Sequence, residues 1–186
     1  MNSIYSSRRA FTAALVALPA LGAAASATAT AVGKDKGLTH TAEAIHDEVM
    51  FNAPRSRVYA ALTDAKQFDV VSRLSDAMTM VAAPNAPATA ISTEVGGAFT
   101  LFGGYITGLQ IELVRDQRLV QVWRAASWGP GEFSVVKFVL ADAGAGTQLS
   151  FDHRGFPPGR GAVLASGWFS HYWEPLKKFL AQPGGG

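Results

Sequence analysis

His153 has the side chain whose position in this sequence best suits acid–base chemistry. It shares one face of an alternating strand, residues 147–153, with the apolar Leu149 and Phe151. An imidazole titrates near neutral pH, so inside a cavity it could orient a ligand or act as a general acid or base. A histidine bonded to a backbone carbonyl at the end of a strand gives the same pattern. His153 is therefore a catalytic candidate with a structural alternative.

A second candidate site consists of aromatic side chains spread over the strands and the last helix. Small-molecule sites combine apolar walls with a few polar atoms, and tyrosine and tryptophan supply both. A solid core has the same composition, because an aromatic stripe at helical spacing is usually core. The group also includes Phe133. The predicted ligand-binding residues are Phe99, Tyr105, Trp123, Phe138, Phe151, His153, Trp168 and Tyr172.

Several other kinds of chemistry are excluded by residue type and spacing. The chain has no cysteine, and its 4 histidines have no i,i+2 or i,i+4 spacing, so we predict no metal site. Gly144-x-Gly146 lacks the third glycine of a dinucleotide fingerprint, and no Gly-x-Ser-x-Gly elbow is present, so we expect no cofactor. Asp47 falls on the inward face of the first strand, where Arg124 or another base is expected to pair with it.

The candidate residues must be positioned by strands and helices together. Apolar periodicity predicts a strand over 42–52, helices over 53–64 and 65–74, a short strand over 78–83, and roughly five to seven antiparallel strands before residue 154. An antiparallel sheet with helices on one face is an α+β fold.

The C-terminal residues 161–182 carry apolar and aromatic side chains at helical spacing. This pattern predicts one long amphipathic helix. Pro175 should bend it near His171, because proline removes a backbone hydrogen bond and clashes with the preceding turn. Any cavity should then lie on the 161–172 half of the helix.

The first 31 residues differ in kind from the rest. Arg8 and Arg9 precede an alanine-rich apolar run and small-residue sites of the Ala-x-Ala type, which is the layout of a secretory signal peptide. The segment from Ser7 to Phe11 resembles the twin-arginine export motif, although Thr12 departs from it. A general-secretory signal and an uncleaved anchor are the alternatives.

Cleavage of this segment would divide the chain into a signal peptide over 1–31, a linker over 32–41 and one domain over 42–182, and would make the protein periplasmic or secreted. All 14 Asp and Glu lie beyond residue 31, whereas two of the 16 Lys and Arg precede it. The mature part is therefore neutral. A neutral domain has no electrostatic footprint for nucleic acid or an anionic membrane, so neither is an expected partner.

The predicted element order resembles the helix-grip layout of the START-like (SRPBCC) superfamily, also known as the Bet v-like fold. Local motifs are similar to the branch named for activators of the heat-shock-protein-90 ATPase. These motifs are Gly96-Gly97-Ala98-Phe99, Gly103-Gly104-Tyr105-Ile106-Thr107-Gly108, Leu119-Val120-Gln121-Val122-Trp123-Arg124, Gly146-Thr147-Gln148-Leu149, Gly167-Trp168 and Tyr172-Trp173.

The resemblance implies a curved antiparallel sheet wrapped around the long C-terminal helix, with a cavity between them. It implies binding of a small hydrophobic ligand there. Two alternatives remain: a cyclase- or hydrolase-like enzyme that uses His153 or Tyr172 in the same cavity, and a protein-partner-binding module of the ATPase-activator type. The chaperone partner of that branch is cytosolic, whereas an export signal is predicted for this chain.

Overall fold

The computed structural model describes residues 43–75 and 85–182, all of which belong to the compact unit Thr39–Gly186. The predicted signal peptide (1–31), the linker (32–41) and the predicted short strand over 78–83 lie outside the described residues.

The described part is built on one seven-stranded antiparallel sheet in the order β1-β7-β6-β5-β4-β3-β2. A register shift between Gln110 and Glu112 interrupts the pairing of β4 with β5, and such bulges increase the bend of a strand. The sheet and the C-terminal helix confirm the predicted α+β helix-grip fold. The strands are β1 Ala44–Phe51, β2 Ala90–Ile91, β3 Ala98–Leu101, β4 Ile106–Val114, β5 Arg118–Ala125, β6 Ser134–Ala143 and β7 Gly146–Arg154.

Alternation of side chains decides which face of the sheet is buried. In β7, Thr147, Leu149, Phe151 and His153 are buried, and the residues between them are more exposed. Strand β5 alternates in the same way. Side chains on one face of a strand recur every second residue, so these strands present one continuous apolar face to the helices.

Two short helices follow β1: α1 is Arg55–Thr63 and α2 is Ala65–Arg73. Pro54 immediately precedes α1, where its missing N–H costs nothing. The Asp64 side chain accepts a hydrogen bond from the Gln67 N–H at 2.9 Å and so caps α2. The predicted helix pair is thus present, and its boundary falls at Asp64.

The C-terminal helical region has three contiguous segments: α3 Gly161–Trp168, a π-helical turn Phe169–Trp173, and α4 Glu174–Leu180. The Glu174 N–H donates to the Phe169 carbonyl five residues back, which is the π-helical bond. Pro175 then lies in the first turn of α4, where no donor is required. A bend was predicted near His171, and the structure has a π-helical turn that includes this residue.

Trp168 lies at the centre of the core between sheet and helix. Its ring centroid is 4.2 Å from that of Tyr172, 4.4 Å from that of Phe151 and 5.6 Å from that of Trp123. Only 2% of its surface is exposed. One helix side chain therefore joins the C-terminal region to strands β5 and β7.

Asp47 is paired differently from the prediction. The Trp173 indole N–H donates to its carboxylate at 3.0 Å. Arg124 instead donates to the backbone carbonyls of Gly129 and Trp128, at 2.8 and 2.9 Å. The expected base is replaced by an indole donor, because Trp173, the last residue of the π-helical turn, is buried in the core beside β1.

Candidate functional site

A cavity of about 570 Å³ lies between the sheet and the C-terminal helix. Its sheet side comes from the β3–β4 connection and from β5 with the loop after it. Its helix side comes from α3 and the π-helical turn. Tyr105 and Val163 are exposed, so the cavity opens to solvent beside them. The lining residues are Phe102, Tyr105, Ile106, Trp123, Ala125, Ser127, Trp128, Arg160, Val163, Leu164, Gly167, Trp168, His171 and Tyr172.

The structure brings half of the predicted ligand-binding residues to this cavity. Tyr105, Trp123, Trp168 and Tyr172 line it. The other four are buried in the core beside it and do not line it: Phe99, Phe138, Phe151 and His153. Phe133, from the same aromatic group, is 52% exposed. On the helix, the lining lies on the 161–172 half, as the position of Pro175 predicted.

Small residues and loops supply the part of the lining that the sequence did not indicate. Ala125 on β5 and Gly167 on α3 both line the cavity, where larger side chains would occupy space. A Cβ added at Gly167 would meet only the His171 ring, at 3.8 Å. Aromatic composition predicts which side chains fill an interior, whereas an opening depends on where small residues meet.

The β3–β4 connection holds the cavity rim in an unusual backbone conformation. Phe102, Gly103 and Gly104 have φ values of 51°, 63° and 88°. Glycine adopts positive φ readily, but a bulky residue such as Phe102 does so at a cost. Packing compensates this cost, because the Phe102 ring lies 5.5 Å from the Tyr172 ring. The rim residue Phe102 is therefore fixed against the helix.

The loop after β5 is joined to the same rim. The Ala126 N–H donates to the Tyr105 carbonyl at 2.8 Å. The Tyr105 and Ser127 hydroxyls lie 3.1 Å apart. These bonds attach the loop after β5 to the β3–β4 connection at the cavity opening.

His153 belongs to a buried hydrogen-bond chain behind the cavity. The Trp168 indole N–H donates to His153 Nδ1 at 3.0 Å, so the ring proton is on Nε2, which donates to Ser134 Oγ at 2.7 Å. Ser134 in turn donates to the Trp123 carbonyl at 3.2 Å. Burial lowers the pKa of His153 to about 4. Both ring nitrogens are thus occupied, and the ring is neutral at physiological pH.

Two buried polar atoms of the cavity wall have no hydrogen-bond partner among the described residues: the Trp123 indole nitrogen and the Tyr172 hydroxyl. Burial raises the pKa of Tyr172, and the neighbouring Trp123 N–H opposes that rise. The two groups are close enough to affect each other without forming a well-aligned bond. An unsatisfied buried group costs about 1–3 kcal/mol, so this pair is a strained feature of the wall.

The charge of the lining is one-sided. Arg160, exposed at the start of α3, and His171 are its basic residues, and no Asp or Glu is among the lining residues. The His171 ring lies 2.8 Å from Ser75 Oγ. Within 43–75 and 85–182, no group of three or more His, Cys, Asp or Glu is arranged to hold a metal ion. The lining therefore offers hydrogen-bond donors on an apolar surface.

None of the described helices is both long and apolar enough to span a membrane.

Comparison with known proteins identifies related sequences. The family described as "Activator of Hsp90 ATPase homolog 1-like protein" matches residues 52–181. The uncharacterized protein C1711.08 of Schizosaccharomyces pombe is 28% identical over 133 residues, which are 72% of this chain and 36% of that protein. Human activator of 90 kDa heat shock protein ATPase homolog 1 is 31% identical over 94 residues, which are 50% of this chain and 28% of that protein. The chain thus spans well under half the length of both relatives.

Solved structures share the fold. An HSP90 activator from Plasmodium falciparum superposes with a TM-score of 0.65 at 22% identity, and the match covers 75% of this chain and 97% of that one. CalU16 from Micromonospora echinospora has a TM-score of 0.58 at 21% identity, over 75% of this chain and 77% of that one. At these identities the likeness establishes the fold alone.

Proposed function

The chain belongs to the family of Activator of Hsp90 ATPase homolog 1-like proteins, and we propose that its domain binds a small apolar molecule in the cavity between the sheet and the C-terminal helix. The observation that carries this proposal is the cavity itself, of about 570 Å³. Sites for small molecules commonly measure roughly 300–1,000 Å³ and have mainly apolar walls with a few polar groups.

The composition of the wall supports an apolar ligand. Phe102, Trp123, Trp168 and Tyr172 present aromatic surface, and Leu164 adds an aliphatic side chain from α3. Removing apolar ligand surface from water contributes roughly 25 cal/mol per Å². The rim is already organised by its hydrogen bonds, so little of that free energy is spent on ordering the site.

The enzyme alternative has less support from the geometry. His153 does not line the cavity, and both of its ring nitrogens are bonded within the core. Tyr172 does line it, but burial raises the pKa of its hydroxyl further above the ordinary value of 10.0. A general acid or base works best with a pKa near the operating pH, which neither group has.

A substitution at Gly167 tests the binding proposal. Leucine at this position should occupy the cavity without a backbone clash, since the nearest atom to an added Cβ is 3.8 Å away. We expect fluorene, a rigid apolar probe, to bind the wild-type protein, and Gly167→Leu to weaken that binding at least about tenfold by filling the space it needs. Isothermal titration calorimetry measures both dissociation constants.

Ser166→Leu is the matched control, because this exposed neighbour on α3 lies outside the lining. It should bind fluorene like the wild-type protein. Gly167→Leu should also remain folded, since leucine is a good helix former and glycine within a helix is less favourable than alanine by roughly 0.8–1 kcal/mol. Absence of fluorene binding to the wild-type protein, or equal binding by both leucine variants, would refute the proposal.

We further propose that the chain is exported by the twin-arginine route and binds its ligand outside the cytoplasm. The support is the sequence alone: Arg8 and Arg9, followed by Phe11 and an alanine-rich run. Changing both arginines to lysine should retain the precursor in the cytoplasm, as judged by fractionation and immunoblotting. Unchanged export of that double variant would argue for a general-secretory signal.

A further inference from the structure

The unpartnered polar atoms of the cavity wall indicate what kind of apolar molecule the site takes. Trp123 and Tyr172 are 4% and 5% exposed, and both line the cavity. Their indole N–H and hydroxyl groups are the two buried side-chain polar atoms without a hydrogen-bond partner in the described part of the chain. Buried polar atoms are nearly always bonded, so two orphans in one wall require an explanation.

Four other polar side chains of the lining already lie within hydrogen-bond distance of a partner. Trp168 donates to His153, and the Tyr105 hydroxyl pairs with that of Ser127. His171 lies within hydrogen-bond distance of Ser75. Trp123 and Tyr172 are therefore the lining residues whose buried polar atoms have no well-aligned hydrogen bond for a ligand to displace.

The chemistry of the pair selects an acceptor. An indole nitrogen can only donate, and a tyrosine hydroxyl can donate, so one oxygen with two lone pairs can accept from both. The two groups are close enough that the Trp123 N–H acts on the Tyr172 hydroxyl. Both atoms are buried, so a single ligand oxygen contacts both only after the two side chains turn toward the cavity.

The acceptor should be uncharged. A carboxylate buried beside these atoms would need a cation to offset its lost hydration. The one arginine of the lining, Arg160, is exposed at the start of α3. The Glu43 carboxylate occupies the backbone N–H groups there, accepting from Gly159 and Gly161 at 2.7 and 2.8 Å. The inner wall therefore suits a neutral oxygen.

We infer that the ligand is an apolar carbonyl compound, such as a ketone, quinone or lactone, whose carbonyl oxygen accepts hydrogen bonds from the Trp123 indole and the Tyr172 hydroxyl. This inference rests on the proposed function, because it assigns a chemical class to the ligand of the same cavity. The aromatic walls hold the apolar body, and the two donors orient the carbonyl toward strand β5 and the π-helical turn.

A matched pair of probes tests the inference. Fluorenone and fluorene have the same rigid tricyclic frame, and fluorenone carries a carbonyl where fluorene has a methylene group. We expect the wild-type protein to bind fluorenone roughly fivefold or more tightly than fluorene, since the hydrogen bonds favour only the ketone. The infrared carbonyl stretch of bound fluorenone should also move to lower wavenumber than in an apolar solvent.

Tyr172→Phe removes only the unbonded hydroxyl and keeps the packed ring. Far-ultraviolet circular dichroism and thermal denaturation verify that this variant folds. Its preference for fluorenone over fluorene should fall, and the carbonyl stretch should return toward its apolar-solvent value. Trp123→Phe should have the same effect on the preference. Tyr59→Phe, on α1 and outside the lining, is the control and should keep both signals.

The outcomes separate this inference from the proposed function. Equal binding of fluorene and fluorenone by the wild-type protein would overturn the carbonyl assignment and leave apolar binding intact. A preference for fluorenone that persists in both Tyr172→Phe and Trp123→Phe would also overturn it. Failure of both probes to bind would reject the proposed function, and the carbonyl assignment with it.

Discussion

Trp168→Ala should lower the free energy of unfolding by about 4 kcal/mol or more, because it removes the side chain that joins the C-terminal helix to the sheet. The ring packs against Tyr172, Phe151 and Trp123, with centroid distances of 4.2 to 5.6 Å. The substitution also removes the indole donor to His153. Urea denaturation followed by far-ultraviolet circular dichroism measures the change.

Phe169→Ala is the matched control for this prediction. Phe169 is the next residue along the chain, is also aromatic, and is 55% exposed. Its removal should change the free energy of unfolding by less than about 0.5 kcal/mol, as is usual for surface substitutions. Similar losses for the two variants would contradict the central position assigned to Trp168.

Acidification from pH 7 to pH 4 should destabilise the protein by about 3 kcal/mol through His153 alone. Burial lowers the pKa of this imidazole to about 4, against an ordinary value of 6.5. Between these two values the unfolded chain binds a proton that the folded chain does not. Stability therefore falls as the pH falls across this window, and the loss levels off below pH 4.

Two measurements on His153, the stability of a variant and the titration of the ring, identify the source of this pH dependence. His153→Gln should be less stable than the wild-type protein at pH 7 and should lose the decline between pH 6.5 and 4. If that variant does not fold, nuclear magnetic resonance of the wild-type protein should show the His153 ring neutral down to about pH 4. A pKa near 6.5 for His153 in the folded protein would contradict its place in the buried hydrogen-bond chain.

His46→Gln provides the opposite control. Its hydrogen bond to Asp152 raises the pKa of this exposed histidine, so His46 favours the folded state at low pH and loses that effect as the pH rises. Removing it should steepen the decline rather than abolish it. Asp152 itself, whose pKa is lowered to about 2 chiefly by Lys137, affects stability only at more acidic pH.

The fold could be predicted because its signals are local and repeated. Strand β7 alternates strictly, and this alternation predicts the shared buried face of Leu149, Phe151 and His153. Pro175 predicts a bend near His171, where the structure has a π-helical turn. The bond between Glu174 and Phe169 that forms this turn is not encoded by periodicity. The helix-grip fold and the ATPase-activator branch are both confirmed.

The site was harder to predict, because a cavity is a property of packing between distant elements. Tyr105, Trp123, Trp168 and Tyr172 do line it, but Phe138 and Phe151 lie on the same inward face and pack tightly with Trp168. The alternation of side chains along a strand identifies its buried residues. It cannot distinguish residues that line a cavity from residues that fill the core. Likewise, the Trp168 partner of His153 comes from α3, which the sequence does not place beside it.

Native mass spectrometry of the wild-type protein and of Gly167→Leu, both purified from the organism of origin, tests the central claim most directly. The account predicts that the wild-type protein retains a small apolar molecule from its host and that Gly167→Leu has only the mass of the polypeptide, because its new side chain occupies the cavity. A ligand-free wild-type protein, or the same bound molecule in both proteins, would contradict it.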